Sequence, residues 1–149
     1  MPGLSESQRL VRLPSGIVEI AYYAAVTELV PRKILVVDDQ PMLAKAIRRM
    51  LAGHDVTVAG GARDALIKLE AGERYDVIIS DLMMPGMSGM ELHAAIATLA
   101  PEQLARMVFM TGGAFTPQAR VFFDEVGCPT LEKPFDRAGL LAVIETLLT

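Results

Sequence analysis

The sequence predicts a doubly wound α/β domain with a parallel sheet, on three observations. From Lys33 onward, short β-rich runs alternate five times with amphipathic helical patterns. The strand runs are nearly continuous in apolar residues, as strands covered on both faces are. Hydrophobic residues make up 52% of the 149-residue chain, with few aromatics, so Leu, Val, Ile, Ala and Met suffice for one core.

Each element has its own signal. "KILVV" (33–37) reads as the first strand, and "PMLAKAIRRMLA" (41–52) as the first helix. Pro41 suits its first turn, and Leu43, Ile47, Met50 and Leu51 fall at helical spacing. "VTVA" (56–59) is the second strand, and "ARDALIKLEAG" (62–72) the second helix, closed by Gly72. "YDVIIS" (75–80) is the third strand, and "GMELHAAIATLA" (89–100) the third helix, stopped by Pro101. "RMVFMT" (106–111) is the fourth strand and ends at Gly112-Gly113. "TPQARVFFDEVG" (116–127) opens on a Thr cap with Pro and closes on Gly127, which marks a fourth helix. "PTLE" (129–132) is a short fifth strand, and "DRAGLLAVIETLL" (136–148) a fifth helix with Asp136 as N-cap. Residues 33–149 are thus expected to form the main domain.

Residues 1–32 read differently, as an N-terminal extension or the remnant of an upstream domain. "QRLVRLPSGIVEIAYY" fits a hairpin around Pro14-Ser15-Gly16, and 17–30 also fits an apolar helix. The apolar run from Ile17 to Val26 follows Arg9 and Arg12, but Glu19 interrupts it and Glu28 and Pro31 follow, which argues against a secretory leader.

Composition excludes several function classes. The formal charge is −4 and no Lys/Arg run exceeds two residues, which argues against nucleic acid or an anionic membrane surface as the main partner. No stretch approaches the length of a bilayer span. Cys128 is the only cysteine, so neither a disulfide framework nor a cysteine-rich zinc site can form, and a reducing, cytoplasmic setting is expected.

Ligands of open parallel sheets bind outside the carboxyl ends of the strands. There the first strand delivers Asp38 and Asp39, the third Asp81, the fourth Thr111, and the fifth Lys133 followed by Pro134. Taken singly, Asp38 is equally a helix N-cap, Asp81 a turn former before Pro85-Gly86, Thr111 a turn residue and Lys133 a solvated charge. Their coincidence on one rim points elsewhere. Clustered carboxylates repel and need a cation, and hard oxygen ligands without His or Cys suit Mg²⁺. Lys133 then offers a point charge to a phosphoryl oxygen and Thr111 a hydroxyl donor. In that setting Asp81 reads as a nucleophile that forms an aspartyl phosphate. Catalysis would consist of positioning and charge neutralisation. Outside this set, His93 and His54 read as packed or turn residues, and Gly60-Gly61 and Gly112-Gly113 as turn glycines, not a dinucleotide fingerprint.

"ILVVDDQP", "VIISDLMMPGMSG", "VFMTGG" and "LEKPF", in this order and spacing, resemble the receiver domains of bacterial two-component response regulators, over about residues 33 to 149. The resemblance implies a flavodoxin-like sheet of order 2-1-3-4-5 with five helices. It implies that Asp81 accepts a phosphoryl group from the phosphohistidine of a histidine kinase or histidine phosphotransfer protein. Asp39 and Asp81 would ligate Mg²⁺ directly, Asp38 through water, and the backbone carbonyl of Met83 would complete the site. Thr111 and Lys133 would read the phosphorylated state, and Lys133–Pro134 would be a cis peptide. The family's aromatic switch position, three before the Lys, is Thr130 here, so the usual rotamer switch is absent. Phe135 reads as core packing rather than as its substitute. The positions two past Asp81 and two past Thr111, which flank the hydrolytic water in such domains, are Met83 and Gly113. Neither is polar, so slow autodephosphorylation is expected.

This reading makes the chain a phosphorelay module, not a turnover enzyme, with homodimerisation left open. No output segment is expected after the fifth helix, so the module would act alone or as the C-terminal receiver of a hybrid kinase. Two alternatives stand beside it. One is a degenerate receiver kept for protein interaction, which would have no need of the full acidic set. The other is a haloacid-dehalogenase-type phosphatase, whose nucleophile follows the first strand in an Asp-x-Asp pattern that Asp38-Asp39-Gln40 does not match.

Overall fold

A computed structural model describes residues 30–113 and 115–149. The expectations for residues 1–29 lie outside the described residues. Arg32–Thr149 forms one compact unit. Its order is β1 (Lys33–Val37), α1 (Pro41–Met50), β2 (Asp55–Ala59), α2 (Ala62–Glu70), β3 (Val77–Asp81), α3 (Gly89–Leu99), a 3-10 helix (Pro101–Arg106), β4 (Met107–Thr111), α4 (Pro117–Val126), β5 (Thr130–Glu132) and α5 (Arg137–Leu148). The five strands form one parallel sheet in the order β2-β1-β3-β4-β5, the flavodoxin-like arrangement expected.

The continuous apolar strands follow from burial on two sides. Along β1, Leu35 and Val37 enter a core with Ala65, Leu69, Leu92, Ile96 and Phe109, while Ile34 and Val36 face Ile47, Leu51, Leu140 and Ile144. Thus α2, α3 and α4 cover one face and α1 and α5 the other. Each large aliphatic side chain removed from water contributes roughly 1.5–3 kcal/mol. The edge strands differ: β2 is half-buried along most of its length, and β5 has three residues of which only Leu131 is buried. A short edge limits pairing with other chains.

Several element boundaries depart from the sequence reading by one or two residues, and two of them have a definite cause. Helix α1 ends at Met50 rather than Ala52, because the chain turns through Gly53 at φ +99°. Strand β3 begins at Val77 rather than Tyr75, since the backbone of Tyr75 pairs with a side chain, that of Gln103. The Pro101–Arg106 helix has no counterpart in the sequence reading: Pro101 stops α3, and the six residues before β4 close into 3-10 turns.

Candidate functional site

The chain winds from β1 to β2 on one side and to β3 on the other, so a crevice opens at the carboxyl ends of β1 and β3. Asp38 and Asp39 follow β1 directly, and Asp81 is the last residue of β3, in register with Met110. One carboxylate oxygen from each of the three lies within 4.8 Å of the others. Asp38 and Asp81 are buried and Asp39 is exposed. Thr111, the last residue of β4, is buried beside them.

Lys133 reaches back from the end of β5 to place Nζ 3.1 Å from Asp81 Oδ1. It is therefore not the free surface charge that it could have been in isolation. Its own amide donates to the Thr111 carbonyl at 2.7 Å, which fixes the β5 end against β4, and the Lys133–Pro134 peptide is cis. Asp38 is not a helix cap. Its Oδ1 accepts the Gln40 amide at 2.8 Å, and Gln40 itself is the N-cap of α1.

Asp38 Oδ2 is buried and, among the described residues, has no hydrogen-bond partner. Burial pushes the Asp38 carboxyl above the ordinary carboxylate range; the Gln40 amide opposes this, the Asp81 charge adds to it, Lys133 opposes it and Asp39 adds to it. An orphaned carboxylate oxygen beside two further carboxylates is the donor set of a hard divalent cation. The residues fit Mg²⁺.

The other expected positions also have definite surroundings. The Met83 side chain is exposed in the loop after β3. Thr130 is exposed on β5, with no aromatic in its place, and Phe135 packs against the α1/α5 core cluster. Gly113 has φ +94°, and a Cβ built there would lie 2.6 Å from Glu132 Oε1, so the Glu132 side chain fills the space that a larger residue would need.

A cavity of about 360 Å³ opens onto Asp81, walled also by Gln40, Met83, Thr111, Thr116 and Lys133. Gln40 and Thr116 join the strand-end residues in its wall. Thr116 is also the N-cap of α4, accepting the Ala119 amide at 3.1 Å. Gln40 carries no motif signal beyond its place after Asp38-Asp39.

The family model for the response regulator receiver domain matches residues 34–145. The chain belongs to this family. As a receiver domain it is a signalling module of two-component systems. Among solved structures, it is similar to the chemotaxis protein CheY4 of Vibrio cholerae, with a TM-score of 0.70 and 31% identity over 80% of this chain and all of that one. Among curated proteins, this receiver is 34% identical over 119 residues to the probable transcriptional regulator ycf29 of Pyropia yezoensis, covering 78% of this chain and 53% of the relative. It is 32% identical over 118 residues to the transcriptional regulatory protein BtsR of Salmonella typhi, covering 77% of this chain and 47% of that protein. The receiver thus spans about half the length of these relatives. Among the described residues, no helix is long and apolar enough to cross a membrane.

Proposed function

We propose that this receiver takes a phosphoryl group from the phosphohistidine of a histidine kinase or phosphotransfer protein onto Asp81, with Mg²⁺. The observation that carries the reading is the orphaned Asp38 Oδ2 within a cluster of three carboxylates, opposite the Lys133–Asp81 contact of 3.1 Å. Asp38, Asp39 and Asp81 would hold the metal, with the Met83 carbonyl as a further oxygen. When bound, Mg²⁺ neutralises charge on the phosphoryl oxygens, which a metaphosphate-like transfer needs more than covalent assistance.

A carboxylate oxygen of Asp81 attacks phosphorus, and the P–N bond to the donor imidazole breaks with its electron pair going to nitrogen. Lys133 Nζ, already beside Asp81, then balances the charge on the phosphoryl group, and the Thr111 hydroxyl donates to one of its oxygens. That last contact, drawing Thr111 and the β4–α4 loop inward, is the conformational signal; with Thr130 exposed and not aromatic, it passes through the loop itself. A small P–N donor tests the reading. Phosphoramidate with Mg²⁺ should add one phosphoryl group to the protein, and the gain should vanish with EDTA or in Asp81→Asn. Failure of both phosphoramidate and acetyl phosphate to label the wild type would overturn it.

Met83 and Gly113 leave the water approach without polar side chains at the two flanking positions. A water-orienting group contributes about 10²–10⁴-fold, so the aspartyl phosphate should decay at least roughly ten times more slowly than in a receiver with polar residues there. A half-life of seconds for the purified phosphoprotein would contradict this.

A further inference from the structure

The cavity over Asp81 has five polar residues in its wall: Gln40, Asp81, Thr111, Thr116 and Lys133. Four have defined tasks. Lys133 is on Asp81, Thr116 caps α4, and Asp81 and Thr111 are the acceptor and the hydroxyl donor of the proposed transfer. The Gln40 carboxamide is different. It makes no capping bond to α1, and among the described residues it has no hydrogen-bond partner. Its backbone is nevertheless held in place, because the Gln40 amide donates to Asp38 Oδ1 at 2.8 Å and Pro41 fixes the next residue as the first of the helix. A side chain on a fixed backbone, with no partner among the described residues and belonging to a residue that lines the phosphoryl cavity, can take a ligand without rearranging the fold.

We propose that Gln40 is the water-positioning residue for hydrolysis of the Asp81 phosphate, an inference that rests on the phosphoacceptor reading. A carboxamide can accept a hydrogen bond from the attacking water through its oxygen and donate to a phosphoryl oxygen through its nitrogen, the combination that orients water in other phosphoryl-transfer sites. In the step, the water oxygen bonds to phosphorus and the P–O bond to Asp81 breaks with its pair staying on the carboxylate. The water proton passes to a phosphate oxygen, and inorganic phosphate leaves. Gln40 takes no proton and forms no covalent bond. The residual lifetime of this phosphoprotein is therefore set from the β1–α1 loop, since Met83 and Gly113 supply nothing polar from the loops after β3 and β4. The Glu132 carboxylate, against Gly113, is not part of the cavity wall.

The test compares wild type, Gln40→Leu and Glu132→Gln, each phosphorylated with acetyl phosphate and Mg²⁺, freed of donor and followed by intact mass. Gln40→Leu should lengthen the phosphoprotein half-life at least about ten-fold, towards the ~10²–10⁴-fold that a water-orienting group contributes, while Glu132→Gln should match the wild type. Neutral hydroxylamine supplies the control against a general distortion. It attacks the acyl carbon rather than phosphorus, so its cleavage rate should be the same in all three proteins. An unchanged or faster decay in Gln40→Leu would overturn the proposal, as would hydroxylamine cleavage slowed in parallel. No adduct on the wild type would instead overturn the phosphoacceptor reading, and this inference with it.

Discussion

Asp38 illustrates how much one residue carries. One oxygen accepts the Gln40 amide and sets the turn into α1; the other is buried and, among the described residues, has no hydrogen-bond partner. His93 shows a second kind of burial. Its ring meets Phe122 edge-on at 5.1 Å and lies 6.2 Å from Phe109, and burial pushes its pKa below the ordinary 6.5. His54 is shifted the same way by burial, then by the charges of Arg32 and Arg137, and its Nδ1 accepts the Arg32 amide at 3.0 Å. For both, the unfolded chain takes up a proton before the folded one as pH falls. Their contribution is complete above about pH 6.5 and is lost as pH drops through the lower folded values. The thermal midpoint should fall between pH 7 and 5, and His93→Phe should flatten that fall. An unaltered pH profile in the variant would contradict the assignment.

Gln103 is legible only in three dimensions. Buried in the Pro101–Arg106 helix, it accepts the Tyr75 amide at 2.9 Å and donates to the Tyr75 carbonyl at 3.2 Å, as a neighbouring strand would. Gln103→Leu should cost roughly 1–3 kcal/mol in urea denaturation, because it leaves buried polar groups unpaired. A loss below a few tenths would show the pairing to be dispensable. By contrast, the strand-end positions of Asp38, Asp39, Asp81, Thr111 and Lys133 were legible because a strand end is a fixed place in a parallel sheet. The freedom of the Gln40 side chain and the partner of Tyr75 depend on residues distant in sequence, which no local pattern encodes.

At the scale of elements, α3 is pinned to the strand that bears Asp81. Its N-terminus has a capping box in which Ser88 Oγ accepts the Glu91 amide and Glu91 accepts the Ser88 amide, both at 3.2 Å. Gly89 donates to the Leu82 carbonyl at 2.8 Å, and a Cβ built on it would lie 2.6 Å from the Asp81 carbonyl oxygen and 3.0 Å from Leu82 Cα. These two contacts are backbone and cannot swing away, and Phe109 Cε1 would lie 3.0 Å from the same Cβ. Gly89→Ala should cost roughly 1–3 kcal/mol, the usual range for overpacking. Gly60→Ala, whose Cβ would come no closer than 4.0 Å to Asp64 Oδ2, should stay within about 0.5 kcal/mol. Equal effects in chemical denaturation would refute the close-approach argument. The sequence marked Pro41, Thr116, Gly127 and Asp136 as helix ends because caps are local chemistry, and all four occupy such positions. Gly89 carried no such mark, since its requirement comes from β3.

For the whole receiver, five strand–helix alternations sufficed to read a doubly wound parallel sheet, and the strand order followed from the family resemblance. The order matters because it places the split between β1 and β3, bringing residues 38, 39 and 81 together. Lys133 closes the arrangement from the far edge of the sheet. The central claim is that this convergence makes Asp81 a phosphoacceptor. Borohydride reduces an acyl phosphate, but not a free carboxylate, to an alcohol. Protein treated with acetyl phosphate and Mg²⁺, reduced and mapped by peptide mass spectrometry should therefore carry homoserine in place of Asp81 and aspartate at 38 and 39. Reduction at Asp38 or Asp39, or no reduction in protein shown by mass to be phosphorylated, would contradict the account.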